Sequence, residues 1–296
     1  MSVARSRLLV PLALACAAAT AGVASAQSSA TPAGSFGGGA ITVPVTNSAA
    51  KDMALSIRAQ PNGTIGVGGE VPSRCGRAAI RGRTKLAANG SFTLRATTTR
   101  RPYLGVRERS TFVVKGRLAA DGGTGTVASA LRVRVRPLPR TCKTRTVTWT
   151  VRPAADAAAA PAPAPADALL YGLTSQDGPE VNHAVVLHVT RGGRSIDRLL
   201  VRFRSRCDKR VIVVSDEINY SPEFDVAADG SFRNVERFKV SFSDVVLRTT
   251  VIVRGQFDAA GAVAGKVAVT QRFTNRRNGK RVDVCTTGTL TWAARQ

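Results

Sequence analysis

FVVKGRLAADGGTGTVA, residues 112–128, and VIVRGQFDAAGAVAGKVAV, residues 251–269, are two versions of one hairpin. In each, an alternating apolar run leads into a glycine-containing turn and then into a second alternating run. Such alternation is typical of strands with one buried face. Three glycines match between the runs, with one residue inserted: Gly116 with Gly255, Gly122 with Gly261, and Gly125 with Gly265. The chain therefore contains an internal repeat of a β-hairpin.

The duplication extends well beyond this hairpin. Further matches occur in the same order in both halves: Ser73-Arg74-Cys75 with Ser205-Arg206-Cys207, and Asn89-Gly90-Ser91-Phe92 with Asp229-Gly230-Ser231-Phe232. Near the end of each half, six residues separate a cysteine from a tryptophan, Cys142 from Trp149 and Cys285 from Trp292. Agreement in both order and spacing predicts two copies of one domain.

The two copies are expected to be all-β. Strand-like runs rich in Val, Thr, Phe and Arg alternate with turn residues, and no stretch has a convincing helical period. About seven or eight antiparallel strands per copy predict a β-sandwich or a squat barrel. Copy one is assigned to residues 41–152 and copy two to residues 168–296.

The N-terminus has the pattern of a secretory signal peptide over residues 1–26. Arg5 and Arg7 precede the apolar run of residues 8–19, and Ala24-Ser25-Ala26 has the small residues of a cleavage site. The alternative, lipid attachment at Cys16, fits less well. The mature protein is therefore expected to be secreted and extracellular, either free or bound at the cell envelope.

Two low-complexity segments flank copy one. Residues 27–40, mainly Ser, Gly and Ala, predict a flexible leader, and the Ala-Pro repeats of residues 153–167 predict a semi-rigid linker. A short helix over residues 154–160 is the alternative for the start of that linker. No later segment approaches the roughly 18 apolar residues of a membrane helix, so no membrane span is expected.

Four cysteines remain once Cys16 is removed, and they are expected to form disulfides. An even number of cysteines in a secreted chain is typical of a disulfide framework. The repeat favours one bridge in each copy, Cys75 with Cys142 and Cys207 with Cys285. Free buried thiols are the alternative.

Trp149 and Trp292 are expected in the cores of the two copies. Val147, Trp149 and Val151 alternate with threonines, so the three side chains share one face of a strand. Leu290 stands in the same relation to Trp292. The alternative is an exposed tryptophan that serves as a platform for a ligand.

Copy two resembles a β-domain that is common in secreted proteins of high-GC Gram-positive bacteria. The resemblance is carried by the run from Tyr171 to Gln176, by Asp229 to Phe232, and by Cys285 with Trp292 before Ala293-Ala294-Arg295. Copy one is similar more loosely and has Ile41-Thr42-Val43-Pro44-Val45 in place of the first motif. The resemblance implies secretion and a β fold, and it brings no established activity.

Catalytic and cofactor motifs are absent from the sequence, so no enzyme activity and no cofactor are expected. The two histidines, His183 and His188, are five residues apart and would point to opposite faces of a strand, which prevents a shared metal there. Nucleophile-elbow, P-loop and zinc-protease patterns do not occur.

One acidic group interrupts the basic chain. It consists of Asp216, Glu217, Glu223 and Asp225, in a segment where copy two is longer than copy one. A solvated loop is the favoured interpretation. The alternatives are a calcium site and a pair of carboxylates in a secreted hydrolase.

Charge is the strongest functional signal. The net charge of the chain is +24, and residues 51–153 contain 21 basic and 4 acidic residues, a net charge of +17. Residues 167–296 contain 20 basic and 14 acidic residues, a net charge of +6. An excess of this size attracts polyanions, so copy one is the expected binding domain.

The candidate anion-binding residues follow the run LRVRVR, residues 131–136, in which valines alternate with arginines. The set is Arg132, Arg134, Arg136, Arg140, Lys143 and Arg145. The expected partner is an anionic polymer of the cell envelope, or else an extracellular protein bound by a structural module with incidental charge. Sequence-specific nucleic-acid binding is not expected, because aromatic side chains that could stack on bases are scarce.

Overall fold

The structure is a computed structural model. It describes residues 32–42, 52–100, 107–134, 139–144, 146–154, 160–177, 183–209, 215–220, 223–241 and 244–296. The expected signal peptide lies outside these residues. Within them, no helix is long and apolar enough to cross a membrane.

Both copies consist of β-strands. Copy one contains β1 (Gly34–Ala40), β2 (Met53–Ala59), β3 (Thr64–Ser73), β4 (Gly76–Lys85), β5 (Ser91–Arg100), β6 (Arg107–Ala119), β7 (Gly122–Arg134), β8 (Pro139–Lys143) and β9 (Val147–Pro153). Copy two contains β10 (Ala168–Thr174), β11 (Ala184–Val189), β12 (Ser195–Arg204), β13 (Arg206–Cys207), β14 (Ser215–Tyr220), β15 (Phe224–Asp225), β16 (Ser231–Ser241), β17 (Val245–Phe257), β18 (Val263–Asn275) and β19 (Arg281–Arg295).

The strands of each copy follow the same path. In copy one the order is β4-β3-β2-β1-β9-β7-β6-β5, with β8 paired to β7. In copy two it is β14-β12-β11-β10-β19-β18-β17-β16, with β13 and β15 at the side of this path. The long β19 occupies the places of both β8 and β9. The structure thus confirms two all-β domains with one architecture.

Each copy is a nearly closed antiparallel sheet, here called a barrel. In copy one the end strands β4 and β5 lie side by side. Their gap is bridged by Thr84 Oγ1, which donates to the carbonyl of Thr93 at 3.1 Å, and by Thr98 Oγ1, which donates to the carbonyl of Arg81 at 3.4 Å. An eight-stranded barrel is just wide enough to be filled by side chains.

The interior of each barrel contains the predicted tryptophan. Trp149 has 0% of its surface exposed and Trp292 has 3% exposed, so neither is a ligand platform. Aromatic neighbours contact them: the ring centroids of Phe92 and Trp149 are 6.0 Å apart, and those of Phe232 and Trp292 are 6.2 Å apart. The prediction of buried tryptophans is confirmed.

Both predicted disulfides are present. Cys75 is bonded to Cys142 and Cys207 to Cys285, across 67 and 78 residues of sequence. Cross-links over loops of this length are worth about 4 kcal/mol in the chain-entropy model. Each bridge ties the segment after the third main strand to the last strands of the same barrel, and the bridges are consistent with an extracellular location.

The prediction of a flexible leader is wrong for residues 34–40. These residues form β1, which pairs with β2 on one side and β9 on the other. Glycine is needed here because the neighbours are close: a Cβ at Gly38 would lie 2.1 Å from the carbonyl oxygen of Thr150. Copy one therefore begins with β1, which occupies the place of β10, and the Ile41–Val45 segment is not the counterpart of the Tyr171 motif.

The second half of the predicted linker packs against copy two. Ala162 N donates to the carbonyl of Phe257 at 3.1 Å, and Ala259 N donates to the carbonyl of Ala160 at 3.1 Å. Ala164 contacts the apolar core of copy two. The segment is thus a docked strap there rather than a free spacer, while residues 155–159 lie outside the described part.

The two barrels contact each other through β1, β2 and β9 of copy one and β10, β11 and β12 of copy two. Ile41 and Ala54 pack with Ala184, Val186 and Leu200 in one apolar cluster. A buried ion pair is part of this interface, with Arg198 Nε 3.1 Å from Asp52 Oδ2.

Candidate functional site

The predicted arginine row is divided by the sheet. Arg132 and Arg134 lie on β7 and are exposed, and Lys143 on β8 pairs with Ala130 and shares their face. Arg140 pairs with Val133, so it lies on the opposite face from Arg132. The remaining two members, Arg136 and Arg145, lie outside the described residues.

The neighbouring strand β6 adds two arginines that the sequence reading missed. Arg109 stands directly opposite Arg132, and Arg107 stands directly opposite Arg134. All four side chains are exposed. We call the group of Arg107, Arg109, Arg132, Arg134 and Lys143 basic face one.

The geometry of basic face one is costly without an anion. Directly opposed residues on one face have Cβ atoms about 5 Å apart, and like charges at that separation destabilise a sheet. Within the part of the chain that the structure describes, none of these five side chains forms an ion pair. A bound polyanion would relieve that repulsion.

The acids of copy one are mostly inside the fold, which explains why its surface is so basic. Glu70 is 4% exposed and Glu108 is 9% exposed. Arg100 lies between them, with Nη1 2.5 Å from Glu70 Oε1 and Nε 2.5 Å from Glu108 Oε2. Asp52 is 1% exposed and pairs with copy two, so only Asp121 places its carboxylate on the surface.

This buried cluster also keeps Arg100 charged. Burial lowers the pKa of Arg100, but the attraction of Glu70 and Glu108 and their hydrogen bonds outweighs it, so the pKa is raised overall. The Nη2 atom donates in addition to the carbonyl of Arg77 at 2.7 Å. Arg100 therefore has a structural role inside copy one.

The acidic group of copy two is divided between the two ends of β12. On β12, Asp216 of β14 pairs with Phe203, whereas Asp225 of β15 pairs with Ser195. Eight residues along a strand separate these positions by about 27 Å. Carboxylates of a glycosidase lie within about 10 Å of each other, and calcium ligands lie about 2.5 Å from the ion.

The remaining two acids, Glu217 and Glu223, are also divided between the two ends of β12. Glu217 pairs with Arg202 in the backbone register, next to Asp216. Glu223 accepts a hydrogen bond from Ser195 Oγ. A single calcium site made of all four residues is therefore wrong, because Asp216 and Glu217 pair near one end of β12 while Glu223 and Asp225 lie near the other. The hydrolase alternative, which needs only two carboxylates, stays a prediction. The side chains of Asp216 and Glu217 are outside the described part.

The histidines also lie apart from each other. His188 on β11 has Nδ1 2.7 Å from Asp197 Oδ1 and Nε2 3.5 Å from Asp167 Oδ1. His183 precedes β11, and burial lowers its pKa to about 4, with a further lowering by the charges of Arg202 and Arg204.

One compact set of potential metal ligands occurs among the described residues, but its atoms already form a disulfide and a hydrogen bond. Cys207, Asp283 and Cys285 have ligand atoms within 4.8 Å of one another. Both sulfurs belong to the disulfide, and Asp283 Oδ1 accepts from the backbone N–H of Lys209 at 3.0 Å. A disulfide sulfur is not a thiolate, so this set does not have the chemistry of a metal site.

Comparisons with known proteins leave the function to be argued from the chain itself. No family model matches the sequence, and no curated protein matches it. A crystal structure of the S. cerevisiae core factor aligns with 90% of this chain at 7% identity and a TM-score of 0.15. This chain spans 58% of the length of that one, and a likeness at this level carries no argument.

Proposed function

We propose that this protein is a secreted, non-catalytic binding protein whose copy one holds anionic polymers of the cell envelope on basic face one. The observation that carries the proposal is the presence of two pairs of opposed arginines, Arg107 with Arg134 and Arg109 with Arg132. Arginine suits this role because its planar guanidinium donates two parallel hydrogen bonds to phosphate or carboxylate. Secretion is supported by the N-terminal pattern and by the two disulfides.

The structural arrangement favours polymer binding over binding of a small anion. Basic face one lies on a convex barrel surface across β6, β7 and β8, and a long flexible anion can follow such a surface. The positive electrostatic field of basic face one also raises the rate of association with anions, and it is screened over roughly 8 Å at physiological salt. Binding is therefore expected to weaken steeply as salt increases.

The test compares two variants that remove the same charge from different places. The face-one variant carries Arg109→Ser, Arg132→Ser and Arg134→Ser. The control variant carries Arg276→Ser, Arg277→Ser and Lys280→Ser in the exposed turn between β18 and β19. Binding of purified protein to polyphosphate and to polygalacturonate is measured across a salt series, so that phosphate and carboxylate polymers are distinguished.

We expect the face-one variant to lose at least about tenfold in affinity at low salt and about two units of the slope of log K against log salt. The control is expected to retain most of both. Equal losses in the two variants would mean that only net charge matters, which contradicts a defined face. Absence of binding by the unmodified protein to either polymer would contradict the proposed function and favour a protein-binding module.

A further inference from the structure

Copy two has a basic surface of its own on the strands that correspond to β5, β6 and β7. The alternating residues of β16, β17 and β18 on one face contain seven exposed cations, here called basic face two: Arg233, Arg237, Lys239, Arg248, Arg254, Lys266 and Arg272. The modest net charge of copy two conceals this surface, because no acid alternates with these cations on the same face of the three strands.

The cations of basic face two are arranged in rows across the strands. Lys239, Arg248 and Arg272 are directly opposite one another on three neighbouring strands. A second row has Arg233 and Arg254, followed by Lys266. Neighbouring strands are about 4.8 Å apart, so each row places three positive charges within about 10 Å.

The pair Arg248 and Arg272 has a counterpart in copy one. Counting from the matched glycines, these two arginines occupy the positions of Arg109 and Arg132, and both pairs are directly opposed in the register. Most neighbouring positions differ between the copies. An opposed pair of like charges is unfavourable by itself, so its presence in both copies points to a shared ligand chemistry.

The acids of copy two do not neutralise this face. Glu236 is the one acid within β16, and it alternates to the opposite side of the strand from Arg237. No ion pair involves the seven cations among the residues that the structure describes. Their charges are therefore available to an outside partner.

One end of basic face two is concave. A depression of about 690 Å³ is lined by the second row of cations together with Ser231, Gln256 and one acid, Asp225. The corresponding row in copy one has a single cation, Lys115, between Thr93 and Thr126, so the three-cation depression is particular to copy two. Such a site suits one phosphate-bearing unit, with the serine hydroxyl and the glutamine amide beside the charges.

We propose that basic face two binds a second segment of the same anionic polymer, so that the tandem chain is a bivalent polymer binder. This inference rests on the proposed function of basic face one. Linking two binding sites makes the second binding event intramolecular, which raises the overall affinity for a polymer long enough to reach both by about 10²–10⁴-fold.

The experiment uses the full chain with tripolyphosphate as a short probe and long-chain polyphosphate as a polymer. A face-two variant carries Arg248→Ser, Arg254→Ser and Arg272→Ser, and it is compared with the face-one variant and with the Arg276, Arg277 and Lys280 control. Circular dichroism and thermal unfolding check that each variant is folded. Calorimetry gives the affinity and the stoichiometry.

We expect the face-two variant to lose at least tenfold in affinity for the long polymer and to reduce the number of short probes bound per chain. Unchanged binding by the face-two variant, together with loss in the face-one variant, would overturn this inference and leave the proposed function standing. Failure of the unmodified chain to bind either probe would contradict the proposed function itself. Equal losses in the control variant would show that neither face is a defined site.

Discussion

At the scale of single residues, the most informative feature is the way glycine and tryptophan share space in each barrel. Gly116, Gly125 and Trp149 stand in one row across three strands, and Gly255, Gly265 and Trp292 form the same row in copy two. In copy one the indole ring of Trp149 lies over both glycines, and in copy two Trp292 lies over Gly265 while the ring of Phe232 lies over Gly255. These four glycines are therefore required by packing, whereas the third matched pair, Gly122 and Gly261, has positive φ in the turn of each hairpin.

This packing predicts that Gly116→Ala destabilises the protein. A Cβ at Gly116 would lie 2.4 Å from Trp149 Cζ2, so the ring would have to move within a filled core. Overpacking of this kind costs about 1–3 kcal/mol. The free energy of unfolding in urea measures the effect.

The matched control is Gly192→Ala, where the nearest atom to a new Cβ, Arg194 Cγ, is 3.8 Å away. Its effect is expected to be within about 0.5 kcal/mol of zero, as for most surface substitutions. A Gly116→Ala protein as stable as the control would refute the packing argument.

At the scale of secondary-structure elements, the two barrels close their ends differently. In copy one Arg100 of β5 faces Glu108 of β6 and forms the buried ion cluster. In copy two the same places in the register have Val240 of β16 and Leu247 of β17, and Val240 is 40% exposed. The strand order is shared, but the chemistry at this end of the barrel has changed from ionic to apolar.

The buried histidine just before β11, His183, predicts that the protein loses stability in mild acid. The pKa of His183 is lowered to about 4, first by burial and then by the charges of Arg202 and Arg204, with Asp177 acting in the opposite direction. The unfolded histidine, with a pKa near 6.5, then binds a proton more readily than the folded one. This contribution is complete above about pH 6.5 and is lost as the pH falls toward 4.

The size of the effect is on the order of 3 kcal/mol, and His183→Gln isolates it because glutamine does not titrate. We expect the unfolding free energy of the variant to change less than that of the unmodified protein between pH 7 and about pH 4.5. Identical pH profiles for the two proteins would assign the acid sensitivity to other groups.

At the scale of the whole molecule, the two copies are joined by more than a linker. Gly37 of β1 and Gly172 of β10 approach so closely that a Cβ at Gly37 would lie 1.8 Å from the carbonyl oxygen of Gly172. Around this contact lie an apolar cluster and the buried pair of Asp52 and Arg198. The copies therefore share an interface with the properties of a protein interior.

The buried ion pair at this interface predicts that Arg198→Met strongly lowers the free energy of unfolding. Arg198 is 3% exposed and Asp52 is 1% exposed, so removal of the arginine leaves a buried carboxylate without its countercharge. A loss of about 3–5 kcal/mol is expected, and the double variant with Asp52→Leu should recover most of it. Urea unfolding measures both and shows whether the copies begin to unfold separately.

A second ion pair between the copies provides the control. Arg58 contacts Asp177, with side-chain exposures of 29% and 68%. Such exposed pairs contribute about 0–1 kcal/mol, so Arg58→Met should have a small effect. Similar losses in Arg58→Met and Arg198→Met would contradict the assignment of the buried pair as the ionic centre of the interface.

The sequence by itself determined the duplication, the β class, the disulfide pairs and the buried tryptophans. These properties depend on alternation and spacing along the chain, which are visible without a structure. The glycine-rich composition of residues 34–40 led to the wrong prediction of a flexible leader, because glycines that make a free chain flexible also permit close packing of strands. Only the tertiary structure decided where β1 lies, that Arg109 faces Arg132, that the acids of residues 216–225 are scattered, and that copy two has its own basic face. Those facts depend on the register between strands that are distant in sequence, and a shift of one residue would reverse every face.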